Sequence, residues 1–175
     1  MDFRLLKADE IEVRVAQVHN TSKGKGVSLL LYKDARVDQN ILDETVGCMN
    51  WQRHHSRDNA NCTVSIWDKE KGQWVEKEDT GKESFTESEK GLASDSFKRA
   101  CFNWGIGREL YTAPFIYVGE DKCKIYEQGG KHKCADKFKV EKILYDPDRN
   151  IIAISIINTS QNIRCFVMDN RKKEA

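Results

Sequence analysis

Glu89-Lys-Gly-Leu-Ala-Ser-Asp-Ser-Phe-Lys-Arg-Ala-Cys-Phe-Asn-Trp-Gly105 is the stretch on which the reading of the fold turns. Ala93, Phe97, Ala100, Cys101 and Trp104 recur at the three-, four- and seven-residue spacing of a buried helical stripe. Thr86-Glu-Ser-Glu89 fits a capping box, in which hydroxyl and carboxylate each satisfy an orphan backbone N–H. Gly105 and Gly107 then stop the helix, since glycine adopts the left-handed backbone that ends helices.

Strand signals lie on both sides of this helix. Upstream, Cys62, Val64 and Ile66 share one face of a strand, and Gln73, Val75 and Lys77 one face of its hairpin partner across Asp68-Lys-Glu-Lys-Gly72. Trp51 to Asn61 is polar and reads as a strand or a loop. Earlier still, Ile41, Leu42, Thr45, Val46 and Met49 fall at helical spacing, with Asp38 as the expected N-cap. Ile11, Val13 and Val15 alternate with Glu12 and Arg14, and Val27 to Tyr32 follows a turn at 20–26, which predicts a β-hairpin. Downstream, residues 119–135 are polar and glycine-containing and read as a mobile connection. Lys137–Tyr145, Ile151–Ile157 and Ile163–Met168 read as three further strands. The order is hairpin, helix, hairpin, helix, meander, which predicts an α+β fold of antiparallel sheet with packed helices.

Composition narrows the function classes. The 175 residues hold 29 Lys and Arg against 28 Asp and Glu, a formal charge of +1, which on its face argues against a generically basic nucleic-acid binder. No apolar run approaches the ~20 residues of a membrane span, and MDFRLLKADE lacks a signal-peptide core, so a cytoplasmic place in a bacterial or phage-infected cell is expected. The six cysteines form no Cys-x2-Cys or Cys-x4-Cys hook. Cys123, His132 and Cys134 around Gln128-Gly-Gly130 come nearest, a ribbon short of one ligand, and the plain reading is reduced thiols without metal. Phosphate-loop, nucleophile-elbow and His-Glu-x-x-His signatures are missing, so no cofactor is expected. His54 and His55 are adjacent on an extended segment and point to opposite faces.

Charge is informative once taken locally. From 14 to 36, Arg14, Lys23, Lys25, Lys33 and Arg36 stand against Asp34 alone, a net +4. Near the helix, Lys98, Arg99 and Arg108 face one acid, Glu109, and Lys90 lies nearly on the same helical side as Lys98. Acid gathers instead in 68–90, which reads as a solvated loop with eight acidic and five basic side chains. A basic helix edge beside a basic hairpin suits a phosphate-binding groove, although lysine and arginine are ordinarily just solvated. The aromatic set Trp51, Trp67, Trp74, Phe97, Phe102 and Trp104 offers base-stacking platforms, but its positions fit packing better.

Together these residues resemble the single-strand DNA-annealing proteins of the Rad-fifty-two family, in particular the bacteriophage branch. The likeness is strongest where an Asp precedes Lys98-Arg-Ala100 and the aromatic-Gly pair Trp104-Gly105 ends the helix, continuing to Tyr111. Tyr32-Lys-Asp-Ala-Arg-Val37 leading to Val46-Gly-Cys-Met-Asn-Trp51 is similar to the family's hairpin-to-helix passage, and the Asp79-Thr-Gly81 turn follows in order. The resemblance covers about residues 8–118. It implies a core domain over 1–118, of β-β-β-α type, and a β-rich C-terminal extension over 119–175.

What the resemblance implies for function is binding of single-stranded DNA in a basic groove around a ring or filament of identical subunits. Complementary strands are annealed there in recombination and double-strand-break repair, with no nucleotide hydrolysis and no metal. Lys98 and Arg99 match the family's basic pair and Arg36 the basic residue of the hairpin passage; Lys90, Lys33 and Arg14 are further expected contacts. Asp95 matches a helix acid of structural role. The chain departs from the family where Phe102 stands in place of an Arg, and where Cys48 or Met49 stands for a Tyr. Arg53, Lys23 or Lys25 are the replacements at hand. The last third is left to assembly, or to partners such as a host single-strand-binding protein. Two other classes stay open: a metal-dependent nuclease using Asp34, Asp38, Asp43 and Glu44, and an interaction module of a replication or recombination complex.

Overall fold

The computed structural model describes residues 2–22, 24–82 and 88–171, the first three of the last stretch by backbone alone. Along the chain run β1 (Glu12–Thr21), β2 (Gly24–Tyr32), α1 (Ala35–Val46), β3 (Trp51–Ser56), β4 (Asn61–Asp68), β5 (Gln73–Thr80) and α2 (Ser88–Asn103). There follow β6 (Ile116–Gly119), β7 (Ile125–Gln128), β8 (Lys131–Cys134), β9 (Phe138–Tyr145), β10 (Ile151–Asn158) and β11 (Ile163–Asp169). Helices and antiparallel sheets make this an α+β fold. Among the described residues no helix is long and apolar enough to cross a membrane.

The chain forms two compact units, one of residues up to Leu5 with Asp34–Arg108, the other of Leu6–Lys33 with Glu109 onward. The division expected at 118/119 follows the extent of the family likeness. Compactness divides the chain differently, and groups the β1–β2 hairpin with the C-terminal strands through the pairing of β1 with β9 and of β2 with β6.

In the first unit α1 starts at Asp34, whose carboxylate accepts the Arg36 backbone N–H at 2.8 Å, and stops at Gly47, whose φ is +85°. Asp38 is therefore not the cap; it is buried within the helix beside Ile41 and Leu42. Met49, expected on the same helical face, lies past the Gly47 stop and is 85% exposed. The segment after Trp51 is the strand β3, the first of three in the order β3-β4-β5. The loop expected over 68–90 shrinks correspondingly, because 73–80 is β5, paired along its whole length with β4. Cys62, Val64 and Ile66 are buried as their alternation predicts.

Against this sheet lies α2, burying Leu92, Ser96, Phe97, Ala100 and Cys101. Its stripe is thus shifted slightly from the expected one, with Trp104 in the turn past the helix end and half-buried. The capping box at Thr86–Glu89 lies outside the described residues. Gly105 and Gly107, at φ +98° and +78°, end the element as predicted.

One glycine sets how closely α2 approaches the sheet. A Cβ on Gly81 would lie 2.7 Å from the Ser96 nitrogen and 3.0 Å from the Leu92 carbonyl oxygen, both backbone atoms that no rotamer change can move. Gly81→Ala is expected to destabilise the protein by about 1–3 kcal/mol, the usual penalty of overpacking. Urea unfolding should show a lowered midpoint at unchanged slope; an unchanged midpoint would mean that the helix can retreat freely.

The second unit holds a six-stranded antiparallel sheet in the order β11-β10-β9-β1-β2-β6 and a small hairpin, β7-β8. Residues 119–135, expected as a connection, contain that hairpin, closed by Gly129 and Gly130 at φ +61° and +70°. Two consecutive left-handed residues make the two-residue turn that matches strand twist. The strands escaped sequence reading because each has only four residues and little apolar alternation.

Candidate nucleic-acid interface

Lys98 and Arg99 follow the buried Phe97 on α2, and consecutive helical residues point about 100° apart. The pair accordingly diverges. Arg99 turns to β5, where its Nε lies 3.2 Å from Asp79 Oδ1. Asn103 completes that contact, donating from Nδ2 to Asp79 Oδ2 at 3.2 Å and to the Glu78 carbonyl at 3.1 Å. Lys98 turns the other way, and its charge helps to lower the carboxyl pKa of Asp34 at the start of α1.

Asp34 organises this corner. Hydrogen bonds from the Arg36 side chain and backbone, together with the fields of Arg36 and Lys98, hold its carboxyl below the usual carboxylate range. Arg36 Nε lies 2.8 Å from Asp34 Oδ1, yet the arginine side chain is 82% exposed. One acid that also caps α1 thus feels two predicted cations: Arg36 of α1 bonds it, and Lys98 of α2 acts on it through its charge alone. Lys98 itself, half-buried, forms no ion pair or hydrogen bond with a described residue.

Beside Lys98, the inner face of β3 touches the helix. Trp51 stacks on Phe97 with ring centroids 6.1 Å apart, and its indole N–H donates to Asp43 Oδ1 at 2.6 Å. Arg53 holds its guanidinium carbon 4.8 Å from the centre of the Phe97 ring. His55, next along this face, lies by Ser96, with Nδ1 and Oγ 3.4 Å apart. Burial, and then the charges of Arg53 and His54, hold His55 below its ordinary pKa. His54 is exposed on the opposite face, as alternation requires.

The other expected contacts are distributed less simply. The Lys90 side chain and Lys23 lie outside the described residues. Lys33 belongs to the second unit and is buried at 6% exposure, where a polymer phosphate does not reach it. Arg14, also of the second unit, is exposed, with its guanidinium carbon 5.8 Å from the Tyr32 ring centre. Asp95 accepts the Lys82 backbone N–H at 2.9 Å, tying α2 to the chain leaving β5. The two counter-ions, Asp34 and Asp79, are the site residues sequence reasoning missed; Asp34 stood in the charge count, but its bond to Arg36 did not.

The acids offered for a nuclease are dispersed among structural tasks. Asp34 caps α1, Asp38 is buried, Asp43 holds Trp51, and Glu44 pairs with Arg4. Among the described residues no cluster of three or more His, Cys, Asp or Glu side chains is arranged to hold a metal ion. Cys123 and Cys134 lie near enough to influence each other's ionisation, while the Cys123 thiol donates to the Val118 and Gly119 carbonyls at 3.7 and 3.3 Å. Burial foremost pushes the Cys123 thiol up to about 12, and that of Cys62 up to about 11. The thiolate is the nucleophile, so both should be sluggish. With iodoacetamide at pH 8, exposed Cys48 is expected to be alkylated first, and Cys62 and Cys123 only on unfolding, as mass spectrometry of the peptides would record. Rapid labelling of Cys123 would contradict its burial. In comparisons with known protein families, curated proteins and solved structures, none matches this chain.

Proposed function

We propose that this protein binds single-stranded DNA along a basic strip and anneals complementary strands, without ATP, as an oligomeric ring or filament serving recombination and double-strand-break repair. The observation that supports the reading is that α1, with exposed Arg36, packs against α2, with Lys98, in a unit built as three antiparallel strands followed by a helix. Both are residues that the likeness to the Rad-fifty-two annealing proteins singles out. On this reading β3, β4, β5 and α2 are the β-β-β-α annealing core, and the second unit serves assembly or partners.

The physics of annealing needs no catalytic group. Two strands repel each other and fold on themselves, so their encounter is slow. A row of cations neutralises phosphates and releases their counterions, which makes binding sequence-independent and weaker as salt rises. Bases kept outward and unstacked then select their complements by pairing alone. The near-balance of 29 to 28 charges suits this mode, because the protein's net charge is a sum over faces while DNA meets one strip. Annealing of two complementary oligonucleotides carrying a fluorophore and a quencher, with magnesium, manganese or neither, is the test. The expected result is faster annealing in all three conditions, with intact strands, and rings or filaments by negative-stain imaging. Metal-dependent cleavage, or a monomer without affinity for oligonucleotide, would replace the reading with the nuclease or the interaction module.

A further inference from the structure

Among the described residues six arginines are paired with carboxylates: Arg4 with Glu44, Arg36 with Asp34, Arg99 with Asp79, Arg149 with Glu109, Arg164 with Glu141 and Arg171 with Asp169. Arg53 is different. It is exposed on β3, it has no carboxylate partner among the described residues, and its guanidinium lies over Phe97, 4.8 Å from the ring centre. A guanidinium lying on an aromatic ring keeps its N–H edge free while the ring fixes its plane, so a bidentate oxyanion finds the donors already oriented. The ring beneath it cannot wander, because Phe97 is fully buried and stacked on its other neighbour, Trp51.

Position completes the argument. The residue after Phe97 is Lys98, the cation at the α1 corner that has no ion pair. Arg53 thus lies over the side chain that precedes Lys98 in α2, whereas Arg36 and Arg99 each share their charge with an acid. Its charge reaches its neighbours: after burial, it helps to lower the pKa of His55 and opposes the rise at Cys62.

We propose that Arg53, held over the Phe97 ring, is a phosphate-binding residue for the single-stranded DNA backbone, working together with Lys98. The assignment rests on the single-strand-binding reading above, and names a contact on that strip.

The test is binding of a fluorescent oligo-dT between 50 and 200 mM salt, for the wild type, Arg53→Ala, Arg53→Lys and Lys98→Ala. Arg53→Ala is expected to weaken binding several-fold and to flatten the plot of log affinity against log salt by about 0.7, the share of one phosphate on a single strand. Arg53→Lys should keep most of that slope yet bind less tightly, because a lysine keeps the charge and loses the fork. If Lys98→Ala binds weakly while Arg53→Ala keeps wild-type affinity and slope, the inference falls and single-strand binding stands. A wild type that does not bind oligo-dT removes both. His55 gives a readout on the unmutated protein: a phosphate docked on Arg53 offsets the charge that depresses the imidazole, so its NMR titration midpoint should rise on adding oligonucleotide. A midpoint unmoved at saturation overturns the assignment even if Arg53→Ala proves too unstable to assay.

Discussion

Phe97→Ala is expected to destabilise the protein by about 3–5 kcal/mol, the largest loss of any single truncation proposed. Phe97 has no exposed surface; it shares α2's buried stripe with Leu92, Ala100 and Cys101, and its ring stacks against Trp51 of β3. Removing it leaves a cavity that the sheet and helix cannot close, because Gly81 already brings the α2 backbone as near to β5 as atoms allow. The loss is then the full transfer term plus the cavity. Denaturant unfolding followed through Trp fluorescence measures it directly, since Trp51 loses its stacking partner at the same time. A loss below about 1 kcal/mol would show that α2 is not seated on the sheet through this ring.

Lys98→Ala should do the opposite: leave stability within about 0.5 kcal/mol, as surface changes do, and weaken oligonucleotide binding and annealing at least about tenfold at moderate salt. Lys98 makes no ion pair or hydrogen bond with a described residue that the fold would lose. Arg99→Ala, by contrast, also breaks the half-exposed pair with Asp79, so a binding defect there carries a small stability cost of about 1 kcal/mol or less. A change of opposite sign makes the assignment sharper. Asp34→Asn keeps a good N-cap, because asparagine serves there as well as aspartate, but removes the negative charge shared by Arg36 and Lys98. Binding is expected to tighten a few-fold and to become more salt-dependent. If Lys98→Ala anneals at the wild-type rate, or Asp34→Asn weakens binding without loss of fold, the α1–α2 corner is not where the DNA lies.

The two aspartates explain why the site was only half readable beforehand. Counting charges along the chain correctly marked 14–36 and the helix around Lys98 as basic, because such counts need only neighbours in sequence. Ion pairing does not follow sequence. Asp79 was counted into an acidic loop, whereas it is bonded to Arg99, 20 residues on. Lys33 looked like every other lysine of the basic hairpin, and burial removed it from the surface. Arg53 sat in a segment with no clear period, and only the packing of β3 on α2 showed that it lies on an aromatic face.

Local order, by contrast, was well determined by the amino-acid sequence. The hairpin of β4 and β5, the helix ending at Gly105, the β1–β2 hairpin and the strands β9 to β11 all carry their own period of two or of 3.6, which a few residues suffice to express. Weakly patterned pieces were lost for the same reason: β3 has a polar outer face, and β7 and β8 have four residues each. Tertiary structure alone decided the grouping of the β1–β2 hairpin with the C-terminal strands, the capping of α1 by Asp34 instead of Asp38, and the splaying of Lys98 from Arg99. Periodicity is a property of neighbours along the chain, while charge compensation, burial and strand partners are set by residues that become neighbours only on folding.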